Sequence, residues 1–349
     1  MRWLWRWIAR CILVFGTLAA LLISPVIYTE IACTASPEFS RYSPIITDPD
    51  WQRAESRTLT TYPEWHIVHA YDDYARVLRD GDPHDFGFIR AITGFWTALC
   101  PLKERADAMG GMTGDSKMTI YTIGVSFTAE LLAKAAYEET LGRFTAWMRG
   151  DARAPLDDVS AGQAAAYAEF LQQVPWYKWD FQRDALALRD TATDVPRDRE
   201  RALALGIEYG VKAAYAEVIA SAVEGIGADQ LRLRSIVSGL SIEELSAVDG
   251  VSVIAEREEG VEIETDRYRA FTRILERLVG AGAELVEIAG NDEILFTAVS
   301  DNPTAAGALY SFPRQGYGDW RHLILSPVPE LADRLRFLGE LRLEHVHDY

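Results

Sequence analysis

The chain opens with the basic, tryptophan-rich stretch MRWLWRWIAR at residues 1–10, and the uncharged run CILVFGTLAALLISPVIY follows at residues 11–28. A helix rises about 1.5 Å per residue, so this run approaches the length of about 20 residues that crosses a bilayer core. The rest of the chain is acidic, and the formal net charge is −17. Because basic residues stay on the cytoplasmic side, the pattern predicts a single-pass transmembrane helix in the inner membrane, with the N-terminus inside and the bulk of the chain extracytoplasmic.

Two other interpretations of this stretch stay open. A cleaved secretory signal has an apolar core of only about 7–15 residues and a small-residue cleavage site, whereas the possible site here is interrupted by Cys33. A lipoprotein would be modified at Cys33, but Glu30 stands where a leucine-like residue is expected. The row of Trp3, Trp5 and Trp7 suits the membrane interface. We therefore favour a retained anchor.

The chain contains three cysteines, Cys11, Cys33 and Cys100. Cys11 falls inside the predicted span, so Cys33 and Cys100 are the two that would share the oxidising side of the membrane. A disulfide between them would tie the segment next to the membrane to the globular part. The alternative is two unpaired thiols, since cysteine is also a common small buried residue.

The spacing of apolar residues divides the chain into four regions. Residues 1–30 are the predicted cytoplasmic stub and anchor, and residues 31–61, rich in Ser, Thr and Pro, are a predicted linker. Helical periodicity predominates over residues 62–245, and alternating patterns begin in the segment 246–349. We therefore predict an α+β protein: an N-terminal transmembrane helix, a mainly helical domain, and a C-terminal α+β domain of the ferredoxin-like kind.

A short internal repeat occurs in two of the predicted helices. ELLAKAAYEE at residues 130–139 parallels EYGVKAAYAE at residues 208–217. In each copy a Glu and a Lys four residues later share a helix face with a Tyr one turn further on. If the helices pack together, the six side chains would form a buried polar layer; the alternative is ordinary surface ion pairs. The residues are Glu130, Lys134, Tyr137, Glu208, Lys212 and Tyr215.

Histidine is scarce, and four of the six histidines occur as close pairs. His66 and His69 follow Glu64 on a predicted helix, and His345 and His347 point to one side of a predicted strand. Together these five residues are candidate ligands for a metal or a small molecule. Such pairs are more often solvated or hydrogen-bonded histidines than ligands, and nothing in the sequence brings residue 66 near residue 345.

Composition and missing motifs exclude several classes of function. The excess of acidic residues would repel nucleic acid. The sequence has no glycine-rich phosphate loop after a strand, no G-x-S-x-G elbow, no H-E-x-x-H and no C-x-x-C-H. No motif identifies a cofactor.

Four segments resemble a bacterial family of single-pass membrane-anchored proteins to which no activity is assigned: YPEW at residues 62–65, YTEIAC at 28–33, AGNDE at 289–293 and EHVHDY at 344–349. The resemblance implies a membrane-anchored protein but brings no catalytic residues. Two hypotheses follow. The first is an extracytoplasmic protein with an interaction or binding role, with a possible protein partner; the alternative is a metal- or small-ligand-dependent enzyme with its site in the helical domain.

Overall fold

A computed structural model describes residues 2–37, 42–223 and 231–349. It confirms the α+β class, because helices occupy the chain up to residue 223 and two antiparallel sheets follow. Within the described residues, no helix combines the length and the apolar character that a membrane crossing requires. The transmembrane helix therefore stays a prediction.

The helical part contains eight helices within the described residues. The second of them begins at Arg57, inside the predicted linker of residues 31–61, and contains Pro63. A short π-helical turn at Glu138–Gly142 separates the fourth helix from the fifth. The bounds are α1 (Arg2–Ala32), α2 (Arg57–Asp80), α3 (Phe88–Ala108), α4 (Gly114–Tyr137), α5 (Arg143–Arg149), α6 (Pro155–Leu171), α7 (Phe181–Thr191) and α8 (Pro196–Val223).

The C-terminal part forms two sheets of four antiparallel strands, with spatial orders β2-β3-β1-β4 and β6-β7-β5-β8. The two orders are the same, and in each unit a helix precedes the last strand. The bounds are β1 (Arg232–Ser238), α9 (Ile242–Ser246), β2 (Val251–Glu256), β3 (Val261–Asp266), α10 (Arg269–Ala281), β4 (Glu284–Ile288), β5 (Glu293–Ser300), β6 (Ala308–Pro313), β7 (Trp320–Pro327), α11 (Val328–Arg336) and β8 (Arg342–His347).

Strand β1 lies inside the segment 62–245, where the sequence predicted helical structure. Its apolar residues Leu233, Ile236 and Val237 are buried, while Arg234 pairs with Glu262 of β3 at 3.1 Å. Pairing across the strands thus provides Arg234 with an acidic partner in the sheet. As a result the first sheet unit, β1-α9-β2-β3-α10-β4, begins before the predicted domain boundary at residue 246.

Both sheets share one apolar core. Helix α11 packs on β4 and α10 contacts β8, so each helix contacts a strand of the other unit. Helix α2 then joins the helical part to the second sheet through a cluster that contains Leu59, Tyr62, Trp65, Leu295 and Leu323. The two halves of the chain are therefore packed into one structure along α2.

The C-terminal end of α1 is attached to α3 and α4. Cys33 forms a disulfide with Cys100 of α3, with the Cα atoms 5.1 Å apart. Lys103 donates a hydrogen bond to the Cys33 carbonyl oxygen at 2.9 Å, and Lys117 of α4 pairs with Glu30 at 3.0 Å. Covalent and polar contacts together fix the end of α1.

Loss of the disulfide should destabilise the protein. The bond closes a loop with a sequence separation of 67 residues, and the chain-entropy relation gives about 4 kcal/mol for a loop of that size. We expect the double variant Cys33→Ser, Cys100→Ser to lose free energy of unfolding of this order in denaturant titrations. Reduced wild-type protein should unfold at the same denaturant concentration as the variant. Equal stability of the oxidised wild type and the variant would contradict the structural role.

Candidate functional site

A cavity of about 590 Å³ lies between α2, α4, α6 and α8. Its volume falls within the range of about 300–1,000 Å³ that is typical of ligand pockets. The segment 172–176 and Tyr268 complete its wall. Most of the wall is apolar or aromatic, with Ile67 and Val68 from α2, Ile123 and Phe127 from α4, and Val174 and Trp176 after α6.

Four charged side chains of α4 and α8 form a closed arrangement, here called the charge square: Glu130, Lys134, Glu208 and Lys212. Lys212 Nζ lies 2.9 Å from Glu130 Oε1 and 3.0 Å from Glu208 Oε1. Lys134 Nζ lies 2.9 Å from Glu208 Oε1 and 3.7 Å from Glu130 Oε1. Each charge thus has two neighbours of opposite sign, and Glu130 and Lys212 belong to the cavity wall.

Tyr71 of α2 completes this polar end of the cavity. Its hydroxyl donates to Glu130 Oε1 at 2.6 Å and accepts from Lys212 Nζ at 3.0 Å. Burial alone would raise the pKa of Glu208, but Lys134 and Lys212 outweigh it and hold the pKa at about 2. The same lysines lower the pKa of Glu130, again against the effect of burial. Both carboxyl groups are therefore ionised at neutral pH.

The two tyrosines of the internal repeat lie apart from the charge square. Tyr137 donates a hydrogen bond to Glu200, and Tyr215 contacts Trp176 with ring centroids 5.3 Å apart. Tyr215 instead lines the apolar part of the cavity. Sequence reasoning found four members of the polar layer but missed Tyr71, because it comes from a third helix with no repeat signal.

The candidate metal ligands separate into three places. Glu64 lines the cavity, near Tyr268. His66 is surrounded by phenylalanine rings; its Nδ1 contacts the Tyr62 hydroxyl at 3.3 Å and its Nε2 contacts the Ala91 carbonyl at 3.0 Å. The remaining histidines, His69, His345 and His347, lie elsewhere, between α2 and β8.

These three histidines gather around Trp65. Its ring stacks on His345 at 3.5 Å between centroids, and lies 5.7 Å from His69 and 6.0 Å from His347. All three are buried, and His69 Nε2, His345 Nε2 and both nitrogens of His347 have no hydrogen-bond partner. Burial lowers the pKa of each, to about 3 for His347, so the imidazoles are neutral.

The ligand atoms of these histidines do not converge on a metal-sized site. In the described part of the chain, the three-residue set whose ligand atoms all lie within 4.8 Å of one another is Asp82, His84 and Asp85. Asp82 already pairs with Arg149 at 2.9 Å, and Asp85 accepts from the Asp82 backbone nitrogen. Ion pairing and helix capping account for this set.

A smaller cleft of about 260 Å³ lies between α2, α3 and β6, and includes Asp73 and Arg321 in its lining. Arg321 is buried and binds Glu344 through two hydrogen bonds of 2.5 and 2.7 Å. Burial raises the pKa of Asp73 to about 7, although Arg321 acts in the opposite direction. This group escaped the sequence analysis because its members come from α2, β7 and β8.

The chain matches no protein-family model, no curated protein and no solved structure. The cavity with the charge square is therefore the candidate site on its geometry alone: a large apolar volume with a few polar groups at one end.

The buried histidines should make the fold sensitive to acid. Burial lowers the pKa of His66 from 6.5 to about 4. Between these values the unfolded chain binds a proton that the folded chain does not, so stability falls as pH falls. His66 alone should cost about 2 kcal/mol of unfolding free energy between about pH 7.5 and about pH 5.

The measurement is a set of denaturant titrations of wild type and His66→Phe across this range. Phenylalanine fits a site already surrounded by Phe95, Phe127 and Phe312. The variant should lose about 2 kcal/mol less than wild type on acidification. Parallel pH profiles would show that His66 is not the group responsible.

Proposed function

We propose that this protein binds a ligand with a long apolar chain in the cavity between α2, α4, α6 and α8, at the surface of a membrane to which α1 attaches it. The observation that carries the proposal is the shape of the cavity: an apolar volume of about 590 Å³ with a charge-lined end. Burial of apolar surface would supply the binding free energy, about 0.8 kcal/mol for each CH₂ group removed from water.

The position of the cavity relative to α1 supports this proposal. Met118, Thr119 and Thr122 of α4 belong to the cavity wall. Their neighbours Lys117 and Tyr121 both contact Glu30, two residues before the end of α1. The cavity therefore begins within about one helical turn of the attachment of α1, and a ligand would pass a short distance between a membrane and the site.

The side chains of α1 support attachment to a membrane. Trp3 and Trp5 are 71% and 68% exposed, and apolar residues including Leu18, Leu21 and Ile31 are also exposed. Exposed apolar surface of this extent marks a membrane or protein contact. The Cys33–Cys100 disulfide favours an oxidising compartment. We therefore place the folded part on the extracytoplasmic side of the inner membrane, with the N-terminus inside.

Filling the cavity should abolish binding without unfolding the protein. Ser126 is an exposed α4 residue in the cavity wall, so Ser126→Trp would place an indole in the ligand volume. We expect at least about a tenfold loss of affinity, equivalent to about 1.4 kcal/mol. The measurement is ligand occupancy by native mass spectrometry of the full chain, released from lipid nanodiscs after incubation with hexadecanol.

Ala129→Trp is the matched control. Ala129 is also exposed on α4, one helical turn further on, and is not part of the cavity wall. It should bind hexadecanol like wild type. Equal occupancy in Ser126→Trp and Ala129→Trp would place the ligand outside this cavity, and lack of occupancy in wild type would refute the proposed function.

Charged substitutions on α1 should release the chain from membranes. Leu18 and Leu21 are 52% and 62% exposed, and arginine within a bilayer costs about 2.5–3.5 kcal/mol per residue. We expect Leu18→Arg, Leu21→Arg to reduce the carbonate-resistant membrane fraction several-fold. The pair Leu203→Arg, Ile207→Arg changes equally exposed residues of α8 and should stay membrane-bound. Release by the α8 pair alone would move the attachment surface away from α1.

A further inference from the structure

We infer that the ligand ends in an uncharged hydrogen-bond donor, such as the hydroxyl of a long-chain alcohol or a monoacylglycerol, and that this end contacts the charge square. The inference rests on the proposed function, since it names the chemical class of the ligand in the same cavity. It follows from the charge balance, the hydrogen bonding and the exposure of the square, which are taken in turn.

The charges of the square cancel. It contains two lysines and two glutamates, and every Lys–Glu contact between neighbours is 3.7 Å or shorter. A charged end group would therefore bring one uncompensated charge into a partly buried site. Burying an unpaired charge is strongly unfavourable, whereas a neutral polar group requires only a hydrogen-bond partner.

The lysine that borders the large cavity has no donor left for an anion. An ammonium group has three N–H donors. Those of Lys212 are directed to Glu130, Glu208 and the Tyr71 hydroxyl, at 2.9, 3.0 and 3.0 Å. A carboxylate or phosphate would have to break one of these contacts and approach two glutamates. The site therefore disfavours anionic ligands such as fatty acids, despite its two lysines.

The groups that the square presents for binding are carboxylate oxygens. The side chains of Glu130 and Glu208 are 32% and 22% exposed, against 15% for Lys134 and 14% for Lys212. The lysine contacts run to Oε1 of both glutamates. Glu130 is the more exposed carboxylate and lines the large cavity, so it is the acceptor that an O–H or N–H group of the ligand would meet.

The hydrocarbon chain of the ligand would contact a different part of the cavity wall. The walls contributed by Ile67, Val68 and Ile123 are apolar, and Ile219 of α8 extends them away from the square. An extended chain with its hydroxyl at Glu130 would thus keep its hydrocarbon part against apolar side chains. The polar end of the ligand would thus contact the polar part of the wall, and its hydrocarbon chain would contact the apolar part.

The test compares ligands that share one chain and differ at the end group. Full-length protein in nanodiscs is incubated with hexadecanol, palmitic acid or hexadecylamine, and occupancy is measured by native mass spectrometry. We expect hexadecanol to bind at least about tenfold more tightly than either charged ligand. Equal or tighter binding of palmitic acid or hexadecylamine would overturn the inference while leaving the proposed function intact. Absence of binding by all three would refute the proposed function itself.

Charge-changing variants make the test independent of chain partitioning into lipid. Glu130→Gln leaves the square with a net positive charge and should shift preference toward palmitic acid by about tenfold; Lys212→Gln should shift it toward hexadecylamine. The double variant restores neutrality and should prefer hexadecanol again. Thermal unfolding identifies any variant that does not fold, and Lys134→Gln offers a second way to remove one positive charge. Preferences that do not follow the sign of the net charge would show that the square does not contact the ligand end.

Discussion

The rest of the structure depends on the packing of α2 against the second sheet. Thr58, near the start of α2, bridges two strands: its hydroxyl donates to the His347 carbonyl oxygen at 2.6 Å and accepts from the Leu295 backbone nitrogen at 2.9 Å. About two turns later Trp65 stacks on His345, and further on Asp73 accepts from the Gln315 backbone nitrogen at 2.9 Å. One side of α2 is thus fixed by the sheet along its length. Ile67, Val68 and Tyr71 of the same helix line the cavity, and Trp65 belongs both to this lining and to the contact with the sheet.

The charge square is costly as a purely structural element. Four charges lose water when α4 and α8 pack together, and apolar side chains of similar size commonly join two helices at no such cost. Close contacts between the opposite charges offset this desolvation cost, and Tyr71 adds hydrogen bonds to Glu130 and Lys212. Removing one member would leave its partner charged and buried. The proposed contact with a ligand would account for an arrangement that contributes little to stability.

Local patterns in the sequence predicted the parts of the structure that depend on local spacing. The change from helical to alternating periodicity predicted the α+β class, and Glu and Lys four residues apart identified the faces of α4 and α8 that meet. Tyr71 and the contact of His69 with β8 could not be predicted, because they depend on how distant elements pack. Strand β1 was mistaken for helix since a seven-residue strand with two arginines carries little periodic signal. The sequence thus predicted the contribution of α4 and α8 to the candidate site. It did not predict the contribution of α2, which supplies Tyr71.

Helix α4 connects the end of α1 with the charge square. Its first turns are held by Glu30 through Lys117 and Tyr121, and its later turns by α8 through the charge square. Between these two attachments, six residues of α4 contribute to the cavity wall: Met118, Thr119, Thr122, Ile123, Ser126 and Phe127. An unfilled apolar volume loses dispersion contacts and tends to collapse, so the helices around it must be held apart by other contacts. Ion pairs of fixed length at one end and a disulfide-anchored α1 at the other provide that separation. The contacts that hold the cavity open are therefore also the contacts that set its distance from the attachment of α1.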